Sequence, residues 1–193
     1  MGFTRAELAA FRGATVPDLV GSTVRLLFVG INPGLWTAAT QAHFARRGNR
    51  FYPALFRAGI VDRLIDASGG YRPEDLAHLK ARGVGITNLV AMASARADEL
   101  TAAELIAGAA SLTDRVRRVG PAAVAMLGIT SYSAAFGRPK AVAGPQPERI
   151  GGAPLWVLPN PSGLNAHASL ASLGAAYRQA AIAAGIDVFA EPD

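Results

Sequence analysis

The run Val24-Arg25-Leu26-Leu27-Phe28-Val29-Gly30 constrains the fold more than any other part of the chain. Side chains of a strand alternate between its two faces, so an apolar run with almost no polar alternation requires a strand covered on both sides. Such a strand belongs in the middle of a parallel sheet with helices above and below, and Arg25 marks its outer end. Three further segments read as strands: Val84-Gly85-Ile86-Thr87, Ala122 to Leu127, and Pro154-Leu155-Trp156-Val157-Leu158.

Helical signals fall between these strands. Thr4-x-x-Glu7 and Thr101-x-x-Glu104 are capping boxes, opening a short helix through Phe11 and a long one through Arg118 that Gly120-Pro121 ends. Phe51 to Ala58 has helical spacing and stops at Gly59; Pro73, Glu74 and Asp75 open a helix that Gly83 closes. A short helix from Ser131 to Phe136 and an alanine-rich helix from Ser169 to Ala184 complete the set. The stretch 137–152, crowded with Pro and Gly, reads as a loop with room for a short edge strand around Glu148 to Ile150. The expected fold is a three-layer α/β/α sandwich around a short, mostly parallel four-stranded sheet. No internal repeat or linker interrupts it, so residues 1–193 are expected to form one domain.

Composition narrows the chemistry. With 51% hydrophobic and 17% charged residues, the chain suits a packed globular core. It has no cysteine, which excludes disulfides, thiolate catalysis, iron-sulfur clusters and cysteine-ligated zinc. His43, His78 and His167 are scattered and do not restore a metal site, so neither metal nor cofactor is expected. The formal charge of +5 suits a polyanionic partner. No secretory leader and no membrane span are read in the sequence, which gives an expectation of a cytoplasmic protein.

In open parallel sheets, ligands bind beyond the carboxyl ends of the strands. The loops leaving the first and fourth strands are the two most unusual segments: Gly30-Ile31-Asn32-Pro33-Gly34 and Pro159-Asn160-Pro161-Ser162-Gly163-Leu164-Asn165. Each sets an Asn-Pro turn after a core strand, with glycine nearby so that backbone can approach a ligand. Alone, either could be only a stiff turn.

Together with Phe44 and Gly48-Asn49-Arg50-Phe51-Tyr52, the two loops resemble the mismatch-specific uracil/thymine branch of the uracil-DNA glycosylase superfamily, from about Val24 to the final helix. The resemblance implies a monofunctional glycosylase that flips uracil, or another modified pyrimidine, out of a mismatch with guanine in duplex DNA and hydrolyses its glycosidic bond. Asn32 falls at the catalytic asparagine. Its amide can accept a hydrogen bond from water but cannot take the proton, which implies a slow enzyme.

Ile31, Thr37, Phe44 and Asn88 fall at base-binding positions, Phe44 as the ring on which the flipped base stacks. For Phe44 a core role, and for Asn88 a strand-end cap, stand as alternatives. His43 reads as a base or phosphate contact or as an ordinary surface histidine. Leu164 falls at the wedge that fills the gap left by the flipped nucleotide, with Gly163 and Asn165 facing the widowed guanine. Some relatives carry an arginine where Ala166-His167 stand, a departure that bears on guanine readout. Ser162, Arg46, Arg47 and Arg50 are candidate phosphate contacts, against a solvated charge cluster as the alternative. The implied partner is mismatched double-stranded DNA, bound by a monomer and without a membrane. Two other classes stay open: a non-catalytic damaged-DNA-binding module, and a nucleotide-binding α/β protein, although no G-x-G-x-x-G or G-x-x-x-x-G-K-[ST] motif is present.

Overall fold

The computed structural model describes residues 2–190 apart from Leu164 and His167. Its elements in chain order are α1 (Arg5–Ala9), β1 (Leu26–Gly30), α2 (Leu35–Thr40), α3 (Phe51–Arg57), α4 (Pro73–Ala81), β2 (Val84–Asn88), a 3₁₀ turn (Ala97–Glu99), α5 (Ala102–Val119), β3 (Ala123–Leu127), α6 (Ile129–Phe136), β4 (Gly144–Ile150), β5 (Ala153–Leu158) and α7 (Leu170–Ala183). The sheet order is β2-β1-β3-β5-β4, with every pairing parallel except β4 with β5.

The apolar run behaves as its composition requires. Leu26 and Phe28 join the core on one sheet face, with Phe51, Leu55, Leu173 and Tyr177 from α3 and α7. Leu27 and Val29 join the opposite core, with Leu112, Val116 and Tyr132 from α5 and α6. All five residues of β1 are buried. Each such apolar side chain withdrawn from water contributes about 1.5–3 kcal/mol before conformational entropy is charged against it.

Both capping boxes form as expected, at Thr4 with Glu7 and at Thr101 with Glu104. Two expectations need correction, and one helix is additional. The sheet has five strands, not four, because Gly144–Ile150 pairs antiparallel with β5. Pro145 and Pro147 disguise it; at an edge the missing N–H groups need no partner, and a register shift between Gln146 and Arg149 absorbs the irregularity. The first helix ends at Ala9 rather than Phe11. Between β1 and α3, the helix α2 was not anticipated; six residues are too few to show a period.

The segment around Pro17 also has a structural task. Leu19 exchanges two backbone hydrogen bonds with Ile86, 2.9 and 2.8 Å, and so covers the outer edge of β2. This sets Pro17 and Asp18 beside the carboxyl end of β2. Arg115 on α5 reaches the same corner, donating to the Thr87 hydroxyl at 2.9 Å and the Asn88 carbonyl at 2.8 Å, and pairing with Asp18 at 3.2 Å. Read by itself, the cluster Arg115-Arg117-Arg118 looks like an exposed helix end, yet Arg115 points inward.

Candidate active site

The loops after β1, β2 and β5 converge on one cleft of about 160 Å³. Its walls include Ile31, Asn32, Thr37, Phe44, Asn88 and Ser162. A broader groove of about 520 Å³ continues past Gly128 and shares Ile31, Asn160 and Ser162 with it. The crevice therefore lies over the carboxyl ends of β1, β3 and β5. Connections run to opposite sides of the sheet there, which is where open α/β sheets hold ligands. The cleft is smaller than the roughly 300–1,000 Å³ of drug-sized pockets and suits a single flat ring.

Asn32 is oriented by the loop after β2. Its amide nitrogen donates to Ser94 Oγ at 2.8 Å and to the carbonyls of Met92 and Pro33, each at 3.2 Å. Ser94 Oγ in turn donates to the Arg96 carbonyl at 2.7 Å. The backbones are stitched together as well, Leu89 to Gly30 at 2.8 Å and Val90 to Ile31 at 2.9 Å. With the nitrogen committed, the amide oxygen is the hydrogen-bonding atom left for a ligand: a single acceptor of fixed direction. Sequence reasoning missed Ser94, because nothing in Met92-Ala93-Ser94-Ala95 distinguishes it from a surface serine.

Phe44 has a backbone φ of +56°, an uncommon conformation for a bulky residue that the surroundings must enforce. Two tyrosines supply that constraint. Tyr52 donates its hydroxyl hydrogen to the His43 carbonyl at 2.9 Å, the His43 N–H donates to Tyr71 Oη at 3.2 Å, and the two hydroxyls lie 2.7 Å apart. Burial holds both phenols in the neutral form, pushing Tyr71 up to about 12 and Tyr52 well above its ordinary value. The Phe44 ring stacks on Phe51 with centroids 4.1 Å apart and planes 24° apart. It thus packs on the core and lines the cleft at once, so the two readings of this residue are not exclusive.

His43 is 2% exposed and not a surface residue. Its Nε2 lies 2.9 Å from the Pro17 carbonyl and its Nδ1 3.3 Å from Asn88 Nδ2. Burial lowers its pKa, outweighing the upward pull of the Pro17 hydrogen bond and of Asp18. Asn88 reaches the end of β1 because Gly30 is bare there: a Cβ on Gly30 would lie 2.6 Å from Asn88 Oδ1 and 3.2 Å from Phe44 Cζ.

The last loop is tied to the segment before α3. Arg50, expected at a phosphate, is turned inward and donates to the carbonyls of Ser162 at 2.7 Å, Asn165 at 2.8 Å and Ala168. Its donors hold the loop, a correction to its reading as a surface cation. Asn165 spends a side-chain donor on the Asn160 carbonyl at 2.9 Å, and Asn160 Oδ1 accepts from the Ser162 N–H at 2.9 Å. Gly163 lies close against the other loop, since a Cβ there would lie 2.7 Å from the Gly48 carbonyl oxygen. Leu164, the expected wedge, lies outside the described residues. Arg46 and Arg47 are exposed at the rim, next to Gly48, Ser162 and Gly163. Among the described residues no group of three or more metal-ligating side chains occurs, and no helix is long and apolar enough to cross a membrane.

Two comparisons with known proteins bear on this arrangement. A solution NMR structure from Methanosarcina acetivorans, titled as that of a candidate uracil DNA glycosylase, shares the fold with a TM-score of 0.57 at 15% identity, over 87% of this chain and 98% of that one. The family model of the uracil DNA glycosylase superfamily matches residues 17–184, a span that contains all three loops of the cleft. The chain therefore belongs to the uracil DNA glycosylase superfamily, whose members act on DNA.

Proposed function

We propose that the protein excises uracil from G:U mismatches in duplex DNA as a monofunctional glycosylase, leaving an abasic site for base excision repair. One observation carries the reading: Asn32, Phe44 and Asn88 meet in a single cleft with the Asn32 amide pinned so that its oxygen is the available acceptor.

In the reaction, the C1′–N1 bond breaks with its electron pair going to the base, and a water oxygen bonds to C1′ of the oxocarbenium-like sugar. Asn32 Oδ1 accepts a hydrogen bond from that water and sets its direction. The water's proton departs to solvent, since an amide cannot hold it. Phe44 stacks on the extruded base, a contact worth about 1–3 kcal/mol irrespective of base identity. Ile31 and Thr37 close the walls, and Asn88 faces the polar edge of the base. Arg46, Arg47 and Ser162 contact phosphates. Gly163, Leu164 and Asn165 enter the duplex and meet the widowed guanine, with Arg50 holding their loop in place.

The experiment is excision on end-labelled duplexes carrying G:U, G:T or A:U, and on single-stranded uracil, followed by alkaline cleavage. Excision fastest on G:U is expected. Tight binding without cleavage of any substrate would replace this reading with a damage-binding module, and equal rates on G:U and A:U would remove the mismatch preference.

A further inference from the structure

Burial, tautomer and hydrogen-bond polarity together assign His43 a role that its sequence position alone does not suggest. A carbonyl oxygen only accepts, so the 2.9 Å contact with Pro17 requires the ring proton on Nε2. In a neutral ring, Nδ1 is then an acceptor. The Asn88 amide, 3.3 Å away, can meet it only with its NH₂ end, because the reverse orientation would set oxygen against a lone pair. The Asn88 oxygen is therefore forced to the other side, against the buried, bare Cα of Gly30 and toward the Phe44 ring, with which Asn88 lines the cleft.

Resting on the glycosylase reading above, we propose that His43 is a positioning residue that fixes the Asn88 amide oxygen-first toward the cleft, so that the site admits a base with a ring N–H and rejects cytosine. Uracil offers a donor at N3, whereas cytosine offers a lone pair there, and an oxygen acceptor repels it. An asparagine free to rotate by half a turn would accommodate either ring. Pro17 is the origin of the chain of polarity: its carbonyl is placed by the bridge between Leu19 and Ile86, it selects the tautomer of His43, and the tautomer selects the orientation of Asn88. The groups that face the ring are Asn88, the Pro17 carbonyl and the nearby carboxylate of Asp18. The Tyr52 and Tyr71 hydroxyls engage only the backbone of His43.

The test measures affinity for duplexes in which guanine faces a non-cleavable 2′-fluoroarabino-uracil or 2′-fluoroarabino-cytosine. The difference in pairing strength between these duplexes is common to all variants, so changes in the affinity ratio report on the pocket. His43→Leu should reduce the uracil preference roughly tenfold or more, the scale of one mis-set hydrogen bond. His43→Asn, which keeps an acceptor in the place of Nδ1, should retain it to within about threefold. A ratio unchanged in His43→Leu, with both affinities falling together, would overturn the proposal, because a packing role weakens both probes alike. Since each ratio is internal to one variant, partial unfolding does not imitate the effect. Independently of DNA, ¹⁵N NMR of the wild-type protein should find His43 protonated on Nε2 and bare on Nδ1; the opposite tautomer would end the argument. Failure of the wild type to bind or excise uracil would sink the glycosylase reading and leave the tautomer measurement to judge the orientation of Asn88.

Discussion

At the residue scale, the site depends on amides whose two ends are told apart by their partners. Asn32 has its nitrogen consumed by Ser94, Met92 and Pro33. On the proposed mechanism, its replacement by alanine removes the acceptor that directs the water while leaving Phe44 and the arginine rim intact. Asn32→Ala should slow single-turnover excision by roughly 10²-fold or more, the cost of losing reactant alignment, and leave affinity for uracil duplex within a few fold. Loss of both together would remove the catalytic role. His43 adds a pH dependence of stability. Its folded pKa lies below the ordinary value, chiefly through burial. Well above about pH 6.5 both folded and unfolded rings are neutral and the contribution is complete; as pH falls through that value, the unfolded chain takes up the proton first and stability declines until the folded value is passed. Urea unfolding between pH 7.5 and 5 should show this decline in the wild type and a shallower one in His43→Asn.

Among the elements, the carboxyl ends of β1 and β2 place the chemistry. Asn88, the last residue of β2, pairs in register with Gly30, the last of β1, and so stands against a backbone without a side chain. Gly30→Ala should therefore act where the site is built. Its Cβ would press on Asn88 and Phe44, costing about 1–3 kcal/mol of stability in denaturant titration. It should lower excision by more than that loss of folded protein accounts for. An excision rate equal to wild type would show that Asn88 and Phe44 need not sit where they do. The loop after β5 is organised differently: Arg50 threads three of its carbonyls, so order there is set from the segment before α3 rather than by the loop's own glycines and prolines.

On the scale of the whole molecule, exposed arginines meet the crevice at Arg46 and Arg47, and at Arg96, which is paired with Asp98. Arg46 and Arg47 stand exposed beside Ser162 and Gly163, while Arg50 and Arg115 are consumed inside the fold. Each phosphate neutralised on duplex DNA contributes about −0.9 to the slope of log affinity against log salt. Substituting Arg46 or Arg47 by alanine should each make that slope shallower by about one, measured by fluorescence anisotropy from low to moderate salt. A slope unchanged in both variants would place the DNA backbone elsewhere on the surface.

Local signals in the chain determined the strands, the two capping boxes, most helix limits and the pair of Asn-Pro loops that border the cleft, because periodicity, caps and turn residues act over a few positions. The edge strand was legible only at its end, Glu148 to Ile150, since the prolines in the rest of β4 contradict strand propensity unless one knows that it pairs on one side only. The partners of the site residues were settled by tertiary structure alone. Nothing near Asn32 in sequence predicts Ser94, sixty-two positions away, as its anchor. Likewise, no local pattern tells that Arg50 bonds carbonyls rather than phosphates, or that Pro17 meets His43. Hydrogen-bond direction and burial arise when distant segments are brought together, and it is these that convert two stiff turns and a strand end into a cleft with a defined chemical polarity.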